Sequence, residues 1–317
     1  MVREPTKKPQ NPWTEVFSQA ELIVKVKEPQ PGEIGLLAPH HVLFTYLHLA
    51  ADRSLTMGLL KSGCTAVAYE TVVDQDGRLP LLAPMSQVAG RMAVDVGATC
   101  LLRPHGGRGM LLGGVAGVAP AKVVILGGGV AGRHAAEVAV GHQADVTLFD
   151  ISPSVLTALD AAFGGRIKTE ASTRPAIIES LTDADLVIGT VLIPGGSAPK
   201  LIRLEDLGRM KKGAVLVDVP IDQGGCFESS HPTTHTDPTF EVDGIVHYCV
   251  ANMPGAAPLT STFALSAATA RYIEALADKG VERAFADDAG LAAGLNARNG
   301  ELTHPAVIQA FWRAAAC

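Results

Sequence analysis

VVILGGGVAGRHAAEVAVGHQADVTLFD, residues 123–150, is the stretch whose reading decides the fold. A short run of aliphatic residues leads into glycines spaced G-x-G-x-x-G at Gly127, Gly129 and Gly132. A helix pattern follows, and then a second strand, DVTLF, that ends in an acid, Asp150. The glycine spacing alone is a weak signal. With a strand before it, a helix after it and an acid about 20 residues on, it is a dinucleotide-binding pattern. Gly127 permits the tight turn, Gly129 lets backbone approach a diphosphate, and Gly132 lets helix and strand pack closely. The helix N-terminus offers N–H donors and a partial positive charge. Asp150 would accept hydrogen bonds from a ribose 2′-hydroxyl and repel a 2′-phosphate. Ile151 and Ser152 bring no arginine to such a phosphate, so NAD is favoured over NADP. The plainer alternative is a glycine turn in a Rossmann-like domain that holds no ligand.

Outward from this stretch, ADVTLFD, ADLVIGTVL and AVLVDV are compact apolar strands of the fully buried kind that a parallel sheet requires. Helix patterns between them complete α/β units. In an open parallel sheet, ligands sit outside the carboxyl ends of the strands. GTVLIPGGSAPK, VDVPIDQGGCFE and YCVANMPG each place a Pro/Gly-rich loop at such an end. Upstream, the residues before Glu21 read as a loose arm. ELIVKVKEP alternates as a strand does and stops at Pro29, and HVLFTYLHLA and GCTAVAYETV are further short apolar runs. LTMGLLKSG between them reads as a short helix closed by Gly63. SQVAGRMAVDVGATCLL carries Val88, Met92 and Val96 at helical spacing. At PLTSTFALSAATARYIEALADKG the alternation ends. Ser261 or Thr262 is positioned to cap a helix whose face carries Leu265, Tyr272 and Leu276, with Lys279 in its last turn and Gly280 just beyond. The expected fold is α/β: a Rossmann-type doubly wound parallel-sheet domain, residues 81–257, inserted into a second α/β substrate domain built from residues 1–80 and 258–317.

Composition narrows the function classes. Apolar residues make up 47% of the 317 and charged residues 18%, which is globular rather than disordered. The net charge of −6 comes without a long basic run, against a nucleic-acid groove. No uninterrupted apolar stretch reaches the ~20 residues that span a bilayer. The basic start MVREPTKKPQNPW has no apolar core of a secretion signal behind it. The five cysteines, Cys64, Cys100, Cys226, Cys249 and Cys317, are scattered, odd in number and without a C-x-x-C pair. That usage favours a reducing cytoplasm over a disulfide framework or a structural zinc site.

Three polar residues stand at expected strand ends. His48 interrupts the apolar run LFTYLHLA, either as a core histidine held by a backbone carbonyl or as a proton carrier. Lys27 is a surface lysine on an edge strand or a cation for a carboxylate or oxo oxygen. Asp222 caps a turn before Gly224 and Gly225 or steers water beside a reacting carbon. Glu70 reads as a strand-end carboxylate paired with a distant base and stays outside this core set. His231 and His235 stand at metal-like spacing, but Pro232 and the two threonines between them favour a loop, and no metal is expected. His247 and His304 read as structural.

With these residues in place the chain resembles the alanine dehydrogenase family. The likeness is carried by KVKEP at 25–29, FTYLHLA at 44–50, AYET at 68–71, LPLLAPMSQVAGRMA at 79–93 and GGRGMLLGGV at 106–115. It continues through the GGGVAG loop, VLIPG at 191–195, DQGGCFE at 222–228, HPTTH at 231–235 and HYCVANMPG at 247–255. The resemblance implies NAD-dependent interconversion of L-alanine with pyruvate and ammonium in a cytoplasmic homo-oligomer, a hexamer. It implies that Lys27 binds substrate, that His48 is the acid/base and that Asp222 lies beside the nicotinamide. The implied cofactor set is Ser86, Gly127, Gly129, Val130, Gly132, Asp150, Val250, Asn252 and Met253. No nucleic acid or membrane partner is expected.

The likeness departs at the N-terminus. Family members begin further upstream, with an arginine in an E-x-R-V-A-like motif that pairs with the substrate carboxylate. Arg3 stands in no such context. Either the true start lies upstream or the substrate domain is truncated relative to the family, and the alternative reading is a truncated dinucleotide-binding pseudoenzyme or regulatory subunit. Smaller departures are Ser197 where lysine is usual, His231 in place of arginine, and Pro220 ahead of the DQGG turn. A further alternative, the NAD(H)-binding component of a transhydrogenase, carries an R-Q-D-type loop that this sequence lacks.

Overall fold

The computed structural model describes residues 12–193 and 198–313. Arg3, Pro194, Gly195, Ser197 and Cys317, singled out above, lie outside the described residues. The chain divides into two compact units: residues 83–267 form one, apart from the short 194–196 stretch, and the described residues up to Leu82 and from Ala268 onward form the other.

In the discontinuous unit, α1 (Pro12–Gln19), β1 (Leu22–Val24), α2 (Pro31–Ile34), β2 (Val42–Thr45), α3 (Arg53–Ser62) and β3 (Thr65–Ala68) follow one another. The residues before Glu21 are not simply a loose arm. From Pro12 they form helix, because Phe17 is buried with Ile23, Leu43 and Leu59. Its carbonyl also receives Nε2–H of the buried His41 at 2.9 Å. α3 closes at Gly63, in the left-handed region at φ 69°, after an Asp52 N-cap that accepts Leu55 N–H at 2.9 Å. β1, β2 and β3 pair in parallel.

The continuous unit opens with α4 (Ala83–Cys100). The dinucleotide stretch then forms β4 (Lys122–Leu126), α5 (Val130–Gly141) and β5 (Asp145–Asp150). α6 (Pro153–Phe163), β6 (Lys168–Ala171), α7 (Arg174–Asp183), β7 (Leu186–Gly189), β8 (Val215–Asp218), β9 (Thr239–Val242) and β10 (Ile245–Tyr248) complete it. The sheet order is β6-β5-β4-β7-β8-β10-β9, parallel throughout except for β9 at the edge. Alternate residues of the central strands enter two separate cores. Val123, Ile125, Leu186 and Ile188 pack on one side; Val124, Leu126, Val187 and Leu216 pack on the other. A sheet covered on both faces in this way is doubly wound.

The last segment carries α8 (Pro258–Asp287), α9 (Ala289–Ala292), β11 (Leu295–Arg298), β12 (Glu301–Leu302) and α10 (Pro305–Arg313). α8 begins earlier than a Ser261 or Thr262 cap requires. Ser261 N–H already bonds to Ala257 O, and its hydroxyl donates to Pro254 O. Proline suits the first helical position, because its missing N–H has no partner there in any case. Leu265, Tyr272 and Leu276 are buried as their spacing predicts. Gly280, at φ 71° and ψ 167°, breaks the helix before the turns that end at Asp287. β11 pairs antiparallel with β3, which gives the order β1-β2-β3-β11-β12.

Two expectations follow from this packing. A Cβ on Gly90 of α4 would lie 2.1 Å from the Ala131 carbonyl oxygen of α5. Gly90→Ala is therefore expected to cost about 1–3 kcal/mol by overpacking, seen as a lower urea midpoint at an unchanged m-value. The second concerns acid. His41 accepts Ala38 N–H on Nδ1 and donates from Nε2, so its ring is neutral. Burial depresses its pKa, against the raising effect of the Phe17 bond and with help from His40. Burial likewise depresses His247, which bonds Ile245 O and Ser229 Oγ. Such histidines bind fewer protons folded than unfolded. Their contribution is complete above the unfolded value of about 6.5 and is lost as pH falls through it towards the folded value. The urea midpoint should therefore drop between about pH 7.5 and about pH 5.5.

Candidate active site

The continuous unit builds its half of the candidate residues at the carboxyl ends of β4, β5, β8 and β10. Beyond β4, Gly127 turns at φ 106° and its N–H donates to Phe149 O at 2.8 Å. A Cβ on residue 132 would stand 1.8 Å from Gly127 O, so only glycine lets α5 start this close to the strand. The Thr190 hydroxyl sits between the Leu126 and Gly127 carbonyl oxygens, 2.9 Å from each. Gly129 is the N-cap of α5 without a side-chain cap, and a Cβ there would meet nothing within 4 Å. Helix N–H donors without a side-chain cap, beside a glycine with room around its Cα, suit a diphosphate. Val130 begins the helix and is exposed. Ser86 lies in the first turn of α4, one turn before the Gly90 contact with Ala131, and so shares the face that meets α5.

Asp150 ends β5 half-buried. Its carboxylate accepts Gly128 N–H at 2.7 Å and Ser152 N–H at 2.8 Å. It thus ties the glycine loop to the next strand, and carboxylate oxygens have lone pairs left for a ribose hydroxyl. After β8, a short 3-10 turn, Val219–Gln223, carries Asp222, and Pro220 fits its start. Asp222 Oδ2 accepts Asn252 N–H at 3.2 Å. Asn252 is itself left-handed at φ 57°. Val250 and Met253 on either side bury their side chains in the core of this unit. His231 stacks on Phe240 at 3.7 Å, whereas His235 Nε2 lies 3.2 Å from Asn252 O, so the two histidines have separate partners. Among the described residues, no group of three or more His, Cys, Asp or Glu is placed to hold a metal ion.

In the discontinuous unit the carboxyl ends of three adjacent parallel strands deliver Lys27, His48 and Glu70. Tyr46 N–H continues the ladder to Val26 O, and Thr45 Oγ1 donates to Lys27 O at 2.9 Å, which holds the Lys27 backbone beside β2. Lys27 Nζ lies 3.7 Å from Glu28 Oε2. His48 has a left-handed backbone, φ 50°, uncommon for a residue with a side chain. The Glu70 carboxylate, 2% exposed, sustains that conformation. It accepts Leu47 N–H at 3.1 Å and His48 N–H at 2.7 Å, and it lies 4.0 Å from His48 Nδ1. The Tyr46 ring is parallel to His48 with centroids 5.9 Å apart. Its hydroxyl donates to Leu81 O at 2.6 Å, and burial together with the Glu70 charge pushes its pKa up. Burial also lowers the pKa of His304, with the Glu70 charge opposing. Around His48, sequence reasoning named Glu70 but left it outside the core set, and it missed Tyr46. The AYET run at the end of β3 carries the signal for Glu70: an acid straight after a fully buried strand.

Two family profiles cover nearly all of the chain. Alanine dehydrogenase/PNT, N-terminal domain, matches residues 10–89, and Alanine dehydrogenase/PNT, C-terminal domain, matches residues 93–305. The chain belongs to the alanine dehydrogenase/PNT family. An alanine dehydrogenase of Halomonas elongata is 58% identical over 296 residues, which is 93% of this chain and 80% of that one. A solved L-alanine dehydrogenase is 50% identical with a TM-score of 0.85, covering 96% of this chain and 84% of its own. A transhydrogenase from Sinorhizobium meliloti, 23% identical with a TM-score of 0.71, covers 93% of this chain and 82% of its own and shares the fold.

Glu70→Gln tests the support of His48. One of the buried backbone donors would face an amide NH2 instead of an oxygen. The expected loss is about 1–3 kcal/mol of stability, measured by urea unfolding.

Proposed function

We propose that this protein is an NAD-dependent alanine dehydrogenase, which oxidises L-alanine with water to pyruvate and ammonium and runs the reverse reductive amination. The observation that carries this reading is the 58% identity to the Halomonas elongata alanine dehydrogenase across 93% of the chain. The open N-terminus of α5 and the Asp150 link to the glycine loop support a bound dinucleotide. NAD, when bound, takes the hydride from the substrate Cα.

The chain has to supply orientation and proton management. Lys27 holds the carboxylate or oxo oxygen of the substrate through its ammonium. His48 takes a proton from the water that adds to the iminium carbon and returns one as ammonia departs. Glu70 accepts the His48 backbone N–H and lies 4.0 Å from its Nδ1, so it positions the ring for this exchange. Asp222 offsets the positive charge that grows on the iminium and orients the water. Ser86, Gly127, Gly129, Val130, Gly132, Asp150, Val250, Asn252 and Met253 hold the dinucleotide, several of them through backbone.

The protein acts as a cytoplasmic homo-oligomer, a hexamer by family likeness. Exposed Leu111, Val115 and Val118 in the loop before β4 support self-association. The buried free thiols Cys64, Cys100, Cys226 and Cys249 suit a reducing compartment. No helix among the described residues is long and apolar enough to cross a membrane.

Purified protein is expected to form NADH from NAD and L-alanine, followed by absorbance. His48→Ala should lower the rate by about 10²–10⁴-fold while NADH binding, read by fluorescence, stays close to wild type. A wild-type protein that binds NADH but forms none from L-alanine would refute the assignment.

A further inference from the structure

Asp218 closes β8 and has no exposed surface. The chain then makes the Val219–Gln223 turn with Asp222 and reverses through two left-handed glycines, Gly224 at φ 91° and Gly225 at φ 73°. It returns past the strand end to Asp218. Cys226 N–H donates to both carboxylate oxygens at 2.9 Å, Phe227 N–H to Oδ2 at 3.3 Å, and the Ser230 hydroxyl to Oδ2 at 2.6 Å. A Cβ on residue 225 would lie 2.6 Å from Oδ2, so the glycine is what lets the loop close on the acid. On the outer side, Lys200 Nζ donates to the carbonyls of Gly224 and Phe227. One carboxylate therefore grips the far side of the segment whose near side grows directly from its own strand, and Asp222 lies between the two attachments.

We propose that Asp218 is a positioning residue for the dehydrogenase reaction: by gathering Cys226, Phe227 and Ser230 it sets where the Asp222 carboxylate stands. This rests on the role given to Asp222 above. Asp218 is sealed from solvent and its oxygens are occupied by the loop, so it acts through Asp222 and not on substrate. A buried carboxylate is a poor device for stability alone, because desolvation costs several kcal/mol that apolar packing avoids. What it adds is direction, since two oxygens accept three donors in a set geometry. Burial pushes its pKa up, and the Ser230, Cys226 and Phe227 donors counter that rise.

The test is steady-state kinetics with L-alanine and NAD on the full chain, with kcat expressed per NADH-binding site titrated by fluorescence. The variants are Asp218→Asn, Ser230→Ala and Asp222→Asn. Asp218→Asn should lower kcat per site by up to about 100-fold, the scale of an ångström-sized misplacement, with KM for L-alanine and NADH affinity close to wild type. Ser230→Ala keeps the carboxylate and both backbone donors and should lower kcat per site in the same direction by less. If Asp218→Asn does not fold, Ser230→Ala decides. An unchanged kcat per site in these variants, with only the melting temperature lowered, overturns the positioning role while an inactive Asp222→Asn leaves the Asp222 assignment standing. Undiminished kcat in Asp222→Asn overturns both.

Discussion

A carboxylate at the carboxyl end of a parallel strand, accepting backbone N–H groups from a loop, is the interaction on which the candidate residues of both units depend. Among the described residues it occurs three times. Glu70 after β3 receives Leu47 and His48; Asp150 at the end of β5 receives Gly128 and Ser152; Asp218 at the end of β8 receives Cys226 and Phe227. Loops at strand ends have no sheet partners for their own N–H groups, and buried N–H groups left unbonded are costly. An ionised acid accepts several donors at once and bonds more strongly than a neutral carbonyl. The same device therefore satisfies the loop and orients it.

The three acids differ in burial, and burial separates their tasks. Glu70 and Asp218 are sealed, so their oxygens serve the protein alone. Asp150 is half-exposed, and its carboxylate has accepting capacity beyond the two loop N–H groups. His48 shows what a sealed acid can do for a neighbour. Its left-handed backbone costs on the order of 1–3 kcal/mol in isolation, and the Glu70 bonds to Leu47 and His48 N–H hold it there. Strain supported in this way fixes the backbone from which the ring projects.

Much of the fold was legible in the sequence. β4, β5, β7 and β8 follow the apolar runs closely, since a strand buried on both faces must be apolar throughout. Edge elements were harder. β6 reads KTEA and is mostly exposed, so no apolar pattern marks it. The antiparallel β9 is announced only by the turn Val242-Asp243-Gly244-Ile245, where Asp243 at φ 51° and Gly244 at φ 71° make a two-residue hairpin. α1 was hidden in a Pro-rich, basic start, and among its described side chains Phe17 is the one buried in the core.

For the candidate site, the amino-acid order alone determined where the glycines stand against Asp150, because those atoms come from contiguous chain and their spacing is local. It also placed Lys27, His48 and Asp222 after apolar runs. Tertiary structure alone decided the orientation of these residues. That Glu70 bonds a backbone more than twenty positions before it, or that residue 225 must lack a Cβ to pass Asp218, depends on which strands lie side by side. Strand adjacency is set by how the two sheets bury their faces, a property of the packed whole rather than of any window of sequence.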